Sequence, residues 1–244
     1  MSIPHAKNSI NRHKDKMRIL LDFLKEETYS DFSTLMHLFE FKEHRPLYRL
    51  LTKLTEMKLI QKYVFESRAG NLALWGITND GLSVVYHPDD GVFPPRFEPT
   101  RLKGWTLDHH LDNQLVRLML EQKGATNWIN GDRNNFLNQF NVKHRPDGLI
   151  TLPGGQRIAI ETERSLKTKA RYQAIMASHL HARAERLWFA VMYVLPDMQK
   201  KLSLMKIFES IPIVIMNGEP KRLLPTDRAV FQFFTLDEIK DLPF

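Results

Sequence analysis

The sequence predicts a mixed α/β (α+β) fold that a linker near residue 95 divides into two parts. Apolar residues recur at helical spacing through the first part, apart from one pair of strand-like runs. The segment from His87 to Pro95 is rich in Pro, Asp and Gly, which interrupt regular structure. Beyond this segment helical and strand-like runs alternate, and this pattern is typical of a sheet covered by helices.

Composition narrows the class of protein. An apolar content of 43% is ample for a core, and the chain has neither a membrane-length apolar run nor an apolar signal segment at its start. The absence of cysteine excludes disulfides and thiolate metal sites and is typical of a cytoplasmic protein, which is the location we expect. The net charge of +7 favours a polyanionic partner, and the basic excess lies in residues 1–18 and 99–244.

The first part has the order of elements of a winged helix-turn-helix domain. After a basic tail at residues 1–15, we expect this domain to span residues 16–88. Helices are predicted at 17–24, 31–39 and 45–57, and a two-stranded wing at 59–65 and 72–77. Thr78 then opens a closing helix.

The third helix has one apolar face and one polar face. Leu47, Leu50, Leu51 and Leu54 are expected to point inward. The opposite face and the wing supply the predicted DNA-binding residues, which are Arg45, Tyr48, Arg49, Thr52, Lys53 and Arg68. Two alternatives to DNA binding are a small helical module that binds protein and a dimerisation unit.

After a linker at residues 89–103, we expect a second domain at residues 104–244 with a mixed central sheet. Its nearly continuous apolar run, Leu187 to Leu195, predicts a buried strand. The other predicted elements are a helix at 106–121, a strand at 128–129, two strands at 148–151 and 158–163, helices at 165–184 and 198–208, and strands at 211–216 and 229–234.

Three carboxylates are concentrated around the paired strands of the second domain. Asp147 precedes one apolar run, and the next run ends in Glu161-Thr162-Glu163. A Gly-rich turn joins the runs, so they should pair, and alternation places Glu161 and Glu163 on the same face. Converging acids repel each other unless a cation lies among them, so the pattern predicts a site for Mg²⁺ or Mn²⁺. The alternative is a surface hairpin whose glutamates face water.

Pro146-Asp147, a hairpin and Glu161-x-Glu163 resemble the PD-(D/E)xK nuclease core, in a variant with an acid where lysine is usual. The order α-β-β-β-α-β is also similar to that restriction-endonuclease-like core. The resemblance implies that Asp147 and Glu161 bind the metal ion, with the Thr162 carbonyl as a further ligand. Glu163 would either bind a second ion or orient the attacking water.

The neighbouring helices offer further catalytic candidates. Lys169 and Tyr172 lie on roughly one helical face, so Lys169 can supply the missing positive charge, while Lys167 and Arg171 nearby can contact DNA. His110 lies near the apolar stripe of the preceding helix and is a third catalytic candidate. The alternative for all of these residues is an ordinary polar or packed helix face.

His110-Leu111, Pro146-Asp147, Glu161-Thr162-Glu163-Arg164-Ser165 and Lys169-x-x-Tyr172 together resemble the plasmid replication-relaxation family and the MobC-type relaxases of mobilisable plasmids. The resemblance covers nearly the whole chain. It implies a relaxase that nicks double-stranded plasmid DNA at an origin of transfer, aided by an auxiliary mobilisation protein. Two alternatives are a non-enzymatic DNA-binding regulator on a nuclease-like fold and a restriction endonuclease.

Overall fold

The computed structural model describes residues 4–67, 70–87 and 93–243, with side chains from residue 13 onward except those of Ser67 and Trp105. The chain divides into Met1–Gln114, called unit 1 below, and Leu115–Phe244, called unit 2. Both contain helices and strands, which confirms the predicted mixed α/β class. Arg68 and residues 89–92 of the predicted linker lie outside the described residues. In the described part, every helix is too short or too polar to cross a membrane.

Unit 1 alternates short strands with helices. Its elements are α1 (Pro4–Glu27), β1 (Tyr29–Asp31), α2 (Phe32–Leu38), α3 (His44–Glu56), β2 (Ile60–Ser67), β3 (Gly70–Ile77), α4 (Asn79–Val85) and the start of α5 (Gly104–Gln122). The strands form an antiparallel sheet in the order β1-β3-β2. Residues 4–15 of the predicted basic tail belong to α1, and the division between the units falls within α5 rather than at residue 103.

Side-chain caps fix the helix starts of unit 1. Asp31 caps α2, since its Oδ1 accepts a hydrogen bond from the Thr34 N–H at 2.8 Å. Thr78 caps α4 in the same way, by accepting from the Gly81 N–H at 3.1 Å. A Cβ at Gly81 would lie 2.0 Å from the Leu59 carbonyl oxygen, so only glycine fits against that strand end.

Unit 2 is built around a mixed sheet. Its elements after α5 are β4 (Thr126–Asn130), α6 (Asn134–Gln139), β5 (Gly148–Thr151), β6 (Arg157–Thr162), α7 (Lys169–Ala184), β7 (Ala190–Leu195), α8 (Met198–Glu209), β8 (Ile213–Met216), β9 (Glu219–Arg222), α9 (Pro225–Arg228), β10 (Phe231–Thr235) and α10 (Leu236–Lys240). Among the described residues, five strands pair in the order β10-β7-β6-β5-β4. β4, β5 and β6 are antiparallel, whereas β6, β7 and β10 are parallel.

Helices cover both faces of this sheet. Alternate residues of β6 and β7, such as Ala159 and Tyr193, pack with Tyr172 of α7. The intervening residues, such as Ile160, pack with Val116 of α5 on the opposite face. Every residue of β7 is buried, and the strand lies between two others in the sheet. The continuous apolar run therefore forms a central strand that is buried on both faces, which confirms the predicted buried strand.

Two glycines hold the β5–β6 hairpin and the segment before it. Gly155 has φ 81°, a left-handed conformation that favours glycine, and its N–H donates to the Leu152 carbonyl at 2.8 Å to close the turn. Gly131 follows β4 and donates its N–H to the Asp147 carbonyl at 3.0 Å. A Cβ there would lie 1.7 Å from the Pro146 carbonyl oxygen, so this close approach requires glycine.

We therefore expect Gly131→Ala to destabilise unit 2, because the new methyl group forces the backbone at Pro146 to move. The expected cost is about 1–3 kcal/mol, measured as a lower thermal unfolding midpoint by circular dichroism. Gly154→Ala is the matched control, since a Cβ at Gly154 meets nothing within 4 Å. Equal midpoints for the two variants would contradict this packing.

Candidate functional site

The three predicted acids lie on one face of adjacent strands. Gly148 is the register partner of Ile160, so Asp147 precedes β5 directly opposite Glu161 of β6. The Glu163 N–H donates to the Val194 carbonyl at 2.9 Å, which extends the ladder between β6 and β7 by one residue. Alternation then puts Glu161 and Glu163 on the face covered by α7, as the sequence predicts.

Glu161 is buried between two histidines. Its Oε1 lies 2.8 Å from His144 Nε2 and 3.0 Å from His179 Nε2. Burial by itself raises the pKa of Glu161, but the hydrogen bonds from the two imidazoles outweigh it and lower this pKa to about 2. Glu161 is therefore an ionised carboxylate held inside the protein.

The two histidines come from different elements. His144 lies in the loop before β5, and its backbone N–H donates to the Ser178 hydroxyl of α7 at 3.0 Å. His179 is fully buried on α7, with its ring edge-on to that of Trp188. Burial lowers the pKa of His179, so its ring is neutral and donates to Glu161 through Nε2. Its Nδ1 is buried without a hydrogen-bond partner.

Glu163 has a different pair of partners. The Tyr172 hydroxyl donates to Glu163 Oε2 at 2.9 Å, and the Lys167 ammonium contacts the same oxygen. The Tyr172 hydroxyl also accepts from the Lys167 backbone N–H at 3.1 Å. Burial, followed by the neighbouring Glu163 carboxylate, raises the pKa of Tyr172, so this buried hydroxyl stays protonated as a donor.

Asp147 and Tyr193 complete the face. Asp147 Oδ2 accepts from the Thr162 N–H at 2.7 Å, which ties the segment before β5 to the end of β6. Tyr193 is the register partner of Glu161 on β7, and its hydroxyl is buried with no hydrogen-bond partner. Burial and the charge of Glu161 raise the pKa of Tyr193 well above its ordinary value, so its hydroxyl is neutral beside the acids.

The other predicted catalytic residues have their own hydrogen-bond partners. The ammonium that contacts Glu163 is that of Lys167, whereas Lys169 Nζ donates to the Ser210 carbonyl at 2.6 Å. His110 belongs to unit 1, where its Nε2 lies 2.9 Å from the Glu27 carbonyl oxygen. Arg171, a predicted DNA contact, is exposed in the first turn of α7.

A group that could hold a metal ion differs from the predicted one. His144, Glu161 and His179 each offer a ligand atom, and these atoms all lie within 4.8 Å of one another. Asp147, Glu161 and Glu163 do not form such a group within the described part of the chain. One sequence signal for the histidines was present, since His179 follows Tyr172 by two helical turns and so shares its face.

In unit 1 the predicted recognition face is exposed. Leu47, Leu50, Leu51 and Leu54 of α3 are buried, as predicted. The opposite side of α3 lines an open groove formed by His44, Arg45, Tyr48, Arg49, Thr52, Lys53 and Glu56. The Tyr48 ring is half exposed and packs 4.4 Å from that of Phe32, measured between centroids. The groove therefore presents three basic side chains around an aromatic ring.

α1 adds positive charge next to this groove. Partial burial, followed by the charges of Lys53 and Lys16, lowers the pKa of His13. Lys16 also lies 4.7 Å from the centre of the Phe41 ring. Basic residues of α1 and α3 thus form one positive surface, to which a polyanion would be attracted.

Comparison of the chain with protein-family models, curated proteins and solved structures finds no match. Function must therefore be inferred from the two groups of side chains described above. One is the positive groove on α3, and the other is the buried acid–histidine cluster of unit 2.

Proposed function

We propose that the chain is a metal-dependent DNA-nicking endonuclease, a relaxase that acts at a plasmid origin of transfer. The observation that carries this proposal is the alignment of Asp147, Glu161 and Glu163 on one face of the β5–β6 pair. Unit 2 would be the PD-(D/E)xK-like nuclease and unit 1 a winged helix that recognises DNA. Double-stranded plasmid DNA is the substrate, and an auxiliary mobilisation protein is the partner expected from the family resemblance.

The topology of unit 2 supports the nuclease half of the proposal. The helix α5 is followed by three antiparallel strands, β4–β6, with the short helix α6 between the first two, and then by the helix α7 and the parallel strand β7. Apart from α6, this is the α-β-β-β-α-β order that the sequence predicts for such a core. Function nevertheless depends on the site rather than on the fold, so the acids carry the assignment.

Each side chain of the site has a distinct task in this proposal. A bound Mg²⁺ or Mn²⁺ would polarise the phosphate and lower the pKa of the attacking water. Asp147 and Glu161 would hold the ion, and Glu163 would orient the water. Lys167, next to Glu163, supplies the positive charge that the resemblance places on a lysine. Tyr172 keeps Glu163 in position, since its buried hydroxyl donates to that carboxylate and does not face a substrate.

Phosphate and base contacts would be divided between the units. The exposed Arg45, Arg49 and Lys53 of α3 fit a recognition helix, with Tyr48 and Thr52 between them. Arg171 fits a phosphate contact in unit 2, because it is exposed beside the turn that carries Lys167. The short antiparallel sheet of unit 1 supports the winged-helix assignment, since β2 and β3 would form the wing.

A DNA-binding regulator without catalysis is the second candidate, and one observation favours it. Glu161 and Glu163 already have protein partners, two histidines for the first and Lys167 with Tyr172 for the second. Such pairing also stabilises a buried charge that has no catalytic role. The nuclease would cut a DNA strand and the regulator would not, so a cleavage assay distinguishes the two candidates.

We expect the wild-type protein to convert supercoiled plasmid to open circles in Mg²⁺ or Mn²⁺, on the plasmid that carries its gene. Asp147→Asn should lower the nicking rate at least about 100-fold, which corresponds to about 2.7 kcal/mol of transition-state stabilisation. The amide oxygen can still accept from the Thr162 N–H, so this variant removes the charge with little change in structure.

Asp237→Asn is the matched control for that experiment, since Asp237 is an exposed aspartate that forms a surface ion pair with Lys240. It should nick at the wild-type rate. Nicking by Asp147→Asn at that same rate would contradict the proposed site. Linear product would indicate a restriction endonuclease, and binding without scission in either metal would indicate the regulator.

For the recognition face, we expect the double variant Arg45→Ala/Arg49→Ala to bind plasmid DNA more weakly. The slope of log affinity against log salt should become shallower by about 0.9 for each phosphate contact that is lost. Arg101→Ala is the control, because Arg101 is an exposed arginine of unit 1 outside α3. Fluorescence anisotropy at several salt concentrations measures both quantities, and an unchanged slope in the double variant would contradict a phosphate-binding α3.

A further inference from the structure

We propose that His144, Glu161 and His179 bind one divalent transition-metal ion and that this site selects such an ion over Mg²⁺. The group consists of two imidazole nitrogens and one carboxylate oxygen, from the loop before β5, from β6 and from α7. The role of this ion in DNA nicking rests on the proposed function, whereas the binding of the ion to these three residues does not. Of the two cofactors considered above, Mg²⁺ and Mn²⁺, such a site favours Mn²⁺.

The spacing of the donor atoms suits a single ion. Ligand atoms about 2.1 Å from a common ion, at right angles around it, are about 3 Å apart. Glu161 Oε1 lies 2.8 Å from His144 Nε2 and 3.0 Å from His179 Nε2. Because the two Nε2 atoms also lie within 4.8 Å of each other, one ion can contact all three donor atoms once the side chains adjust around it.

The chemistry of the donors sets the selectivity. Mg²⁺ prefers six oxygen ligands in octahedral geometry and keeps several of its waters. Imidazole nitrogen suits Fe²⁺, Ni²⁺, Cu²⁺ and Zn²⁺, and two histidines with one carboxylate form a known arrangement for such ions. Mn²⁺ is the weakest binder of the transition series but still accepts imidazole. Two nitrogens of three protein donors therefore disfavour Mg²⁺ in this position.

Two buried polar atoms near the group have no hydrogen-bond partner in the structure. His179 is fully buried and its Nδ1 has no hydrogen-bond partner, although a buried polar group usually has one. Metal binding at Nε2 would move the ring proton to Nδ1, so that Nδ1 would change from an acceptor to a donor. The Tyr193 hydroxyl, also buried and without a partner, lies on the same sheet face in the position paired with Glu161.

The alternative is that the two imidazoles serve only as hydrogen-bond partners of a buried carboxylate. Both rings lie within hydrogen-bonding distance of Glu161 Oε1. His144 belongs to the loop before β5, whereas His179 belongs to α7. A purely structural pair would lose stability when either histidine is removed but would have no affinity for a metal ion. Metal binding therefore separates the two interpretations.

The test is a titration of the full chain, freed of metal, with Co²⁺, whose visible absorption reports its ligands. We expect one Co²⁺ per chain, retained in excess Mg²⁺. His144→Ala and Glu161→Gln should each weaken binding at least about tenfold, by comparison with the 10–100-fold loss that follows removal of a residue supporting a ligand. His144 is preferred to the fully buried His179 because its side chain is 18% exposed, so its truncation should spare the fold.

His181→Ala is the matched control, as His181 is an exposed histidine of α7 outside the group, and it should bind Co²⁺ like the wild type. Circular dichroism checks that each variant is folded. Failure of folded wild type to bind Co²⁺, equal binding by folded His144→Ala and Glu161→Gln, or displacement by a similar concentration of Mg²⁺ would each overturn the proposal. Co²⁺ binding without nicking would overturn only the nuclease function, and nicking in Mg²⁺ without Co²⁺ binding would overturn only this site.

Discussion

Burial of two glutamates beneath α7 is the constraint on which the structure of unit 2 depends. Glu161 and Glu163 are both 5% exposed, and an isolated charge in such a position would be strongly destabilising. Each carboxylate is therefore paired, Glu161 with two imidazoles and Glu163 with an ammonium and a phenol. These pairs join the ends of β5 and β6 to α7, so the electrostatic requirement also fixes the position of the helix.

A cluster of this kind is costly if only stability is required, because apolar residues of similar size often stabilise a core as well or better. The cluster lies at one end of the sheet, where the strands and α7 hold several donor atoms rigidly. Such a cluster can bind a ligand with little rearrangement of its side chains. A positive surface on α1 and α3 of unit 1 adds a means of attracting a polyanion. These two features are the basis of the proposal that the protein binds DNA and cuts its backbone with the help of a metal ion.

Local patterns in the sequence predict much of the fold. The alternation in Ile158 to Glu163 and the Gly-rich turn before it correctly place Glu161 and Glu163 on one face. The leucine spacing of α3 predicts its buried side, and the apolar run before Leu195 predicts a buried strand. These elements are predictable because hydrophobic period and turn chemistry act over only a few residues.

Local sequence patterns do not predict which side chains form hydrogen bonds with the acids. His144 and His179 meet at Glu161 only after α7 packs on the sheet, and no short-range spacing encodes that contact. The prediction of Lys169 rests on its helical spacing from Tyr172, which does not show which lysine reaches Glu163. In the structure α7 begins at Lys169 after the Thr168 cap, so Lys167 lies in the preceding turn and reaches Glu163. Short elements such as β1 and β9 were also absent from the predicted order, since runs of three or four residues carry little periodicity.

Diffraction from crystals soaked in Mn²⁺, recorded so that the anomalous signal of the ion is visible, would locate the bound ion and its ligands. We expect one strong anomalous peak within about 2.0–2.3 Å of Glu161 Oε1 and of the Nε2 atoms of His144 and His179. A peak held by Asp147 and Glu161 without either histidine would contradict coordination by the histidines and leave only the carboxylate ligands of the proposed function. The absence of any peak near Glu161 at saturating Mn²⁺ would contradict a metal-dependent site in unit 2.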